Sequence, residues 1–148
     1  YYVNDKSKKQ WVVGRGNIDL LTNTWIWADA TPPVVSNTNS GFGVTDLVVD
    51  PKNENHLFLS LNGINLNNPG STRVLENYFG GAQNMWIDIS IGLSELPVNC
   101  MVYQEGTDDI VYAGCDDGVY YWNKQSTCWV KMNFNMPNCV VSRMTRLL

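Results

Sequence analysis

Charge is scarce in this chain. Ten Lys plus Arg and fourteen Asp plus Glu make up 16% of its 148 residues, against roughly 25% in typical domains. A nucleic-acid partner is not expected, because neutralising phosphates needs clustered Lys and Arg, whereas the net charge is −4 and the one basic run is Lys6 to Lys9 (KSKK). That run reads as a solvated turn. Long apolar runs are missing too. A bilayer span needs about 18 consecutive apolar residues, and the longest uncharged segments, 30–45 and 55–72, are broken by Pro, Gly, Asn and Ser, so no membrane insertion is expected. There is one His, no CxxC pair, no Gly-rich phosphate loop after a strand and no Ser in a nucleophile elbow, so neither a cofactor nor a metal site is expected. The chain opens on Tyr1 with no basic-then-apolar leader and reads as a mature product or a piece of something longer.

Apolar residues make up 44% of the chain and aromatics 11%, a core-forming composition. Polarity comes from eighteen Asn, together with Ser, Thr and twelve Gly, which suit turns and disfavour helices. No helical period is sustained over three turns. Short runs rich in Val, Ile, Tyr, Trp and Leu lie at 1–4, 10–15, 18–22, 24–29, 44–50, 56–62, 73–78, 85–90, 98–104, 110–115, 118–123, 128–133 and 140–147, each bounded by turn residues. The class is all-β.

The chain repeats itself. Val44-Thr45-Asp46-Leu47-Val48 matches Val98-Asn99-Cys100-Met101-Val102 at an offset of 54, and Asn55-His56-Leu57-Phe58 matches Asp109-Ile110-Val111-Tyr112 at the same offset. Trp86-Ile87-Asp88-Ile89 recurs as Trp129-Val130-Lys131-Met132, and Val98 as Val141, both at 43. Upstream, Tyr2 to Asp5 overlays Val48 to Pro51 at 46, and Asn23-Thr24-Trp25-Ile26 resembles Asn84-Met85-Trp86-Ile87. A period of about 40 to 50 residues with four strands per unit is the signature of β-propeller blades. The expected architecture is therefore a propeller fragment of about three four-stranded blades. Residues 1–43 form a partial blade and connecting loop, 44–97 a blade with a long insertion, 98–138 a blade, and 139–148 the first strand of a further blade. Known propellers use about four to eight blades, so the open blade faces predict partners, either the remaining blades of a parent chain or another subunit.

Leu47-Val48-Val49-Asp50-Pro51, Gly80-Gly81-Ala82 leading to Trp86-Ile87-Asp88, Leu96-Pro97-Val98-Asn99-Cys100-Met101 and Gly114-Cys115-Asp116-Asp117-Gly118 resemble the Asp-box (BNR-type) propeller repeats. They are most similar to those of large secreted or cell-surface bacterial proteins. The resemblance implies a superfamily with sialidases, xyloglucanases and sortilin-type receptors, and a secreted or cell-surface location. It also carries a departure. An Asp box reads Ser-x-Asp-x-Gly-x-x-Trp, its side chains pinning the turn between third and fourth strands. Here Phe79 stands where the Asp belongs, and the segment from Trp122 and Asn123 to Trp129 lacks it as well.

Candidate chemistry is thin. His56 has no ligand partner at suitable spacing and is expected to be an exposed or edge residue. Asp108-Asp109 and Asp116-Asp117 invite a glycosidase or calcium reading, but sit where Asp forms turns. Arg15, Arg73, Arg143 and Arg146 show no spacing that would assemble a sialidase-type arginine cluster. Trp25, Trp86 and Trp129 hold equivalent repeat positions and are expected to pack between neighbouring blades, with Gly80 and Gly81 as structural repeat glycines. Trp27 shares a face with Trp25, where the pair would fill an interface or stack on a sugar. Tyr120 and Trp122 likewise share a face and are read as core.

Ligand binding is expected on the long loops 30–43 and 63–72, at Asn37, Asn39, Phe42, Asn65, Asn67 and Asn68, with a glycan or a protein as ligand. The repeat frame sets Cys115 and Cys139 on one side, compatible with a disulfide, while Cys100 and Cys128 read as apolar filler. Two function classes follow. One is a non-catalytic propeller segment serving as scaffold, adhesion or binding module; the alternative is part of a glycoside hydrolase whose catalytic residues lie outside the chain.

Overall fold

The computed structural model of the chain describes residues 2–5, 10–36, 43–62, 72–106, 110–132 and 135–146. These form three antiparallel sheets whose strands lie side by side in chain order. The N-terminal sheet holds β1 (Tyr2–Asp5), β2 (Gln10–Asp19) and β3 (Thr24–Asp29). The middle sheet holds β4 (Val44–Asp50), β5 (Asn53–Leu61), β6 (Val74–Asn77) and β7 (Ile87–Asp88). The C-terminal sheet holds β8 (Val98–Gln104), β9 (Ile110–Cys115), β10 (Gly118–Trp122) and β11 (Val130–Lys131). The all-β expectation holds, apart from the one-turn helix α1 (Pro33–Ser36) and a 3-10 turn at Gln83–Met85.

The sheets pack face to face, and β5 shows why its sequence does not alternate. Its residues from His56 to Leu61 are all buried, because both faces of the middle sheet are covered. Phe58 and Val74 point into one core with Val98, Met101, Val111, Tyr120 and Trp122 of the C-terminal sheet. Leu59, Leu61 and Leu75 point the other way, toward Val13, Ala30 and Val35.

Two expectations change. The runs 10–15 and 18–22 are one strand, since Gly16 and Asn17 continue the ladder opposite Trp27 and Ile26; the N-terminal sheet therefore has three strands where four were expected. The segment 139–146, expected as a first strand, pairs in no ladder among the described residues. It nevertheless docks like one. β4 and β8 carry irregularities at the equivalent residues Thr45 and Asn99, and such bulges re-aim a side chain. Thr45 Oγ1 donates to the Val98 carbonyl at 2.7 Å, and Asn99 Nδ2 to the Val141 carbonyl at 3.3 Å. The next residues repeat the relation: Asp46 Oδ2 accepts the Met101 N–H at 2.8 Å, and the Cys100 sulfur meets the N–H of Met144. Residues 139–146 thus sit against the C-terminal sheet as β8 sits against the middle one.

Candidate functional site: the repeated joint between sheets

The equivalences seen in sequence meet at the outer strands. Trp86, just before β7, donates its indole N–H to the Ala30 carbonyl at the end of β3, at 3.2 Å. Trp129, just before β11, donates to the Ile89 carbonyl at the end of β7, at 2.7 Å. Each indole therefore reaches back to the preceding sheet. Ala30 and Ile89 hold matching places, because their N–H groups extend the outer ladders to Val13 and Val74, as Met132 extends its own to Val119. A second pair of bonds seals two of these ends. The Asp29 and Asp88 carboxylates accept the N–H groups of Thr31 and Ser90, whose hydroxyls accept the N–H groups of Val13 and Val74, each at 2.9 to 3.1 Å. Trp129 is buried and Trp86 half-buried, whereas Trp25 is 60% exposed. Of the three tryptophans equated in sequence, Trp86 and Trp129 bond to the preceding sheet, whereas the ladders set Trp27, three residues before Ala30, in the matching place of the N-terminal sheet; no described element covers the face that Trp25 occupies.

The turns preceding these tryptophans keep a side-chain cap, set one or two residues before the place the Asp-box frame gives the Asp. Asn77 Oδ1 accepts the N–H groups of Phe79 (2.7 Å) and Gly81 (2.9 Å), and its amide donates to the Ala82 carbonyl. Asn123 Oδ1 accepts from the N–H groups of Gln125 and Ser126, and Asp19 accepts from Leu21 N–H and the Thr22 hydroxyl. Phe79 itself is exposed. Gly80 and Gly81 have φ of 63° and 85°, the left-handed region. A Cβ on Gly80 would run into the Arg15 guanidinium, and one on Gly81 into Ala30, so this turn is moulded onto the N-terminal sheet. Arg15 completes the joint by donating to Asn55 Oδ1 at 2.8 Å.

His56 is not an edge residue; it is 1% exposed. Its Nε2 lies 2.9 Å from Glu76 Oε1 and its Nδ1 a looser 3.4 Å from Asp50 Oδ2, while Tyr78 stacks on the ring at 4.1 Å between centroids. A neutral imidazole has one N–H, so bonding both carboxylates needs the imidazolium or a proton on one acid. Burial pushes the Asp50 carboxyl up, but the Lys52 N–H, His56 and the Tyr103 hydroxyl outweigh it and hold Asp50 below the usual carboxylate range. This buried trio ties β4, β5 and β6 together.

Asp116 and Asp117 lie in the β9–β10 turn. Asp116 accepts Asn99 Nδ2, and Asp117 accepts the Ser94 and Tyr120 hydroxyls and Lys131 Nζ, so both are committed to structure. Asp108 and Asp109 lie outside the described residues, as do all six expected ligand residues, Asn37, Asn39, Phe42, Asn65, Asn67 and Asn68. All four cysteines are free thiols. The Cys115–Cys139 link is not formed because Cys115 points into the core, where burial pushes its thiol up to about 12, while Cys139 is exposed. Arg15 serves the first joint and Arg146 pairs with Glu105 at 2.9 Å on the far sheet, so the structure does not gather an arginine cluster from them. Arg73 is buried beside an open cleft of about 490 Å³ with Asp88, Ser90 and Glu95, and its Nε has no hydrogen-bond partner. Among the described residues, no group of three or more His, Cys, Asp or Glu is arranged to hold a metal ion. No protein-family model, no curated protein and no solved structure matches this chain.

Proposed function

We propose that the chain is a run of Asp-box-like β-propeller blades acting as a non-catalytic scaffold or adhesion module within a larger secreted or cell-surface protein. The observation that carries this reading is the repeated joint. Trp86 and Trp129 make the same indole-to-carbonyl bond to the preceding sheet, and Thr45 and Asn99 make the same inner bond to the following segment. Successive sheets related in one way are what a propeller requires. A scaffold role fits the carboxylates: of those in the two Asp pairs, Asp116 and Asp117 are spent on turns.

The ligand in this reading, a glycan or a protein, is held by the long loops 30–43 and 63–72. The test is a glycan array together with hydrolysis assays on the parent protein. Binding without turnover is expected, and exchange of either loop for a short Gly-Ser turn should abolish it. Turnover lost on mutating carboxylates in the parent would overturn the reading in favour of a glycoside hydrolase.

A further inference from the structure

The outer face of the N-terminal sheet carries a large apolar surface. Val13 and Arg15 on β2 point toward the middle sheet, so the alternate residues Gly14, Gly16 and Ile18 point away from it. Trp27 lies opposite Gly16, and Trp25 opposite Ile18, placing both indoles on that outer face. The rings stack at 6.0 Å between centroids, and a Cβ on Gly16 would touch both. Trp25 and Trp27 are 60% and 59% exposed, and Ile18 is nearly half exposed. A contiguous patch of this kind marks an interaction site.

The chain itself shows what such a face takes. In the ladders Trp27 stands three residues before Ala30, as Trp86 stands before Ile89 and Trp129 before Met132, and Trp86 and Trp129 each donate the indole N–H to a carbonyl of the sheet before, at Ala30 and Ile89. The third member of that carbonyl series is Met132, whose N–H bonds Val119 as those of Ala30 and Ile89 bond Val13 and Val74. The far side of the C-terminal sheet is also apolar, with Val119, Tyr121 and Val130 at or near its surface. One molecule therefore carries both halves of a joint it already makes twice.

We propose that the Trp25–Trp27 face docks on the far face of the C-terminal sheet of a second copy of this chain, with Trp27 Nε1 donating to the Met132 carbonyl. The proposal rests on the repeat reading above. The contact is heterologous, front of one copy to back of the next, so it builds rings or open chains of copies.

Sedimentation velocity over a concentration series tests it. The chain is expected to associate with increasing concentration. The double variant Trp25→Ala/Trp27→Ala, which removes the front, and Val130→Asp, which charges the back, should each be monomeric alone. Mixed together they should form a one-to-one dimer, because one copy keeps a good back and the other a good front. Far-UV circular dichroism and the urea midpoint of each variant check that its own sheets are intact. A wild-type chain that stays monomeric overturns the proposal, as does Val130→Asp associating as well as wild type, which would mean front-to-front pairing. Oligosaccharide quenching the Trp25 and Trp27 fluorescence of a monomeric chain would likewise overturn it, making the face a sugar platform. Failure here is separable from failure of the repeat reading. If the repeat holds, Trp86→Phe and Trp129→Phe still lower the urea midpoint by matching amounts, whatever the oligomeric state.

Discussion

His56 contacts a buried carboxylate on each side, so its replacement by Leu leaves Glu76 and Asp50 without that partner in a site closed to water. Removing one member of such a buried set costs about 3–5 kcal/mol, and His56→Leu should lower the unfolding free energy by that order in urea titrations. A second prediction at this scale concerns acid. Asp50 and Asp117 are both held below the usual carboxylate value, Asp117 because Lys131, Tyr120 and Ser94 outweigh the upward push of its burial. A carboxylate with a depressed folded pKa adds stability that is complete above its unfolded pKa and is lost as pH falls through the folded one. The urea midpoint should therefore drop as pH is taken below about 4, and Asp117→Asn should flatten part of that drop. His56 was misread from sequence because its partners come from β4 and β6, six and twenty residues away, and only strand pairing brings them to it. Trp86 and Trp129 share an environment that a repeating local spacing makes legible, whereas Trp25, equated with them in sequence, does not.

At the scale of the element, the turn from β6 to β7 combines an Asn cap with two left-handed glycines. Asn77→Ala removes the acceptor for the Phe79 and Gly81 N–H groups, the second of them buried, and should cost about 1–3 kcal/mol. Gly80→Ala should cost more than the roughly 1–2 kcal/mol of a left-handed alanine, because the new methyl also displaces the Arg15 guanidinium from Asn55. In an Arg15→Ala background that excess should vanish, which a double-mutant cycle on urea midpoints measures. The cap escaped the sequence reading because it sits two residues before the Asp-box position. Side-chain-to-backbone bonds need only an oxygen within reach of the turn, so an Asn displaced in the motif performs the same task. The strand count of the N-terminal sheet was misjudged for a related reason: Gly16 and Asn17 read as a break, yet Gly16 remains in the ladder to leave room for two indoles.

Among the described residues, the middle sheet is the one covered on both faces by other sheets, and adjacent β5 residues serve different neighbours. Phe58 fills the core shared with the C-terminal sheet, where it meets Tyr103 and Trp122, and Leu59 fills the smaller core shared with Val13, Ala30 and Val35. In a stack where each sheet contacts only its neighbours, stability is approximately a sum of sheet and interface contributions. Cavities at these two residues should therefore loosen opposite ends. Phe58→Ala, costing about 3–5 kcal/mol, should speed amide exchange chiefly in β8 to β11, and Leu59→Ala, costing about 2–5 kcal/mol, chiefly in β2 and β3. Peptide-resolved hydrogen exchange measures both, and a uniform loss of protection in either variant would show that the three sheets open as a single unit. The N-terminal sheet should be the faster-exchanging end even in the wild-type chain, because its outer face, with Trp25 and Trp27, is covered only when another sheet docks there. Association of the chain at high concentration should therefore slow exchange in β2 and β3 before it affects the middle sheet.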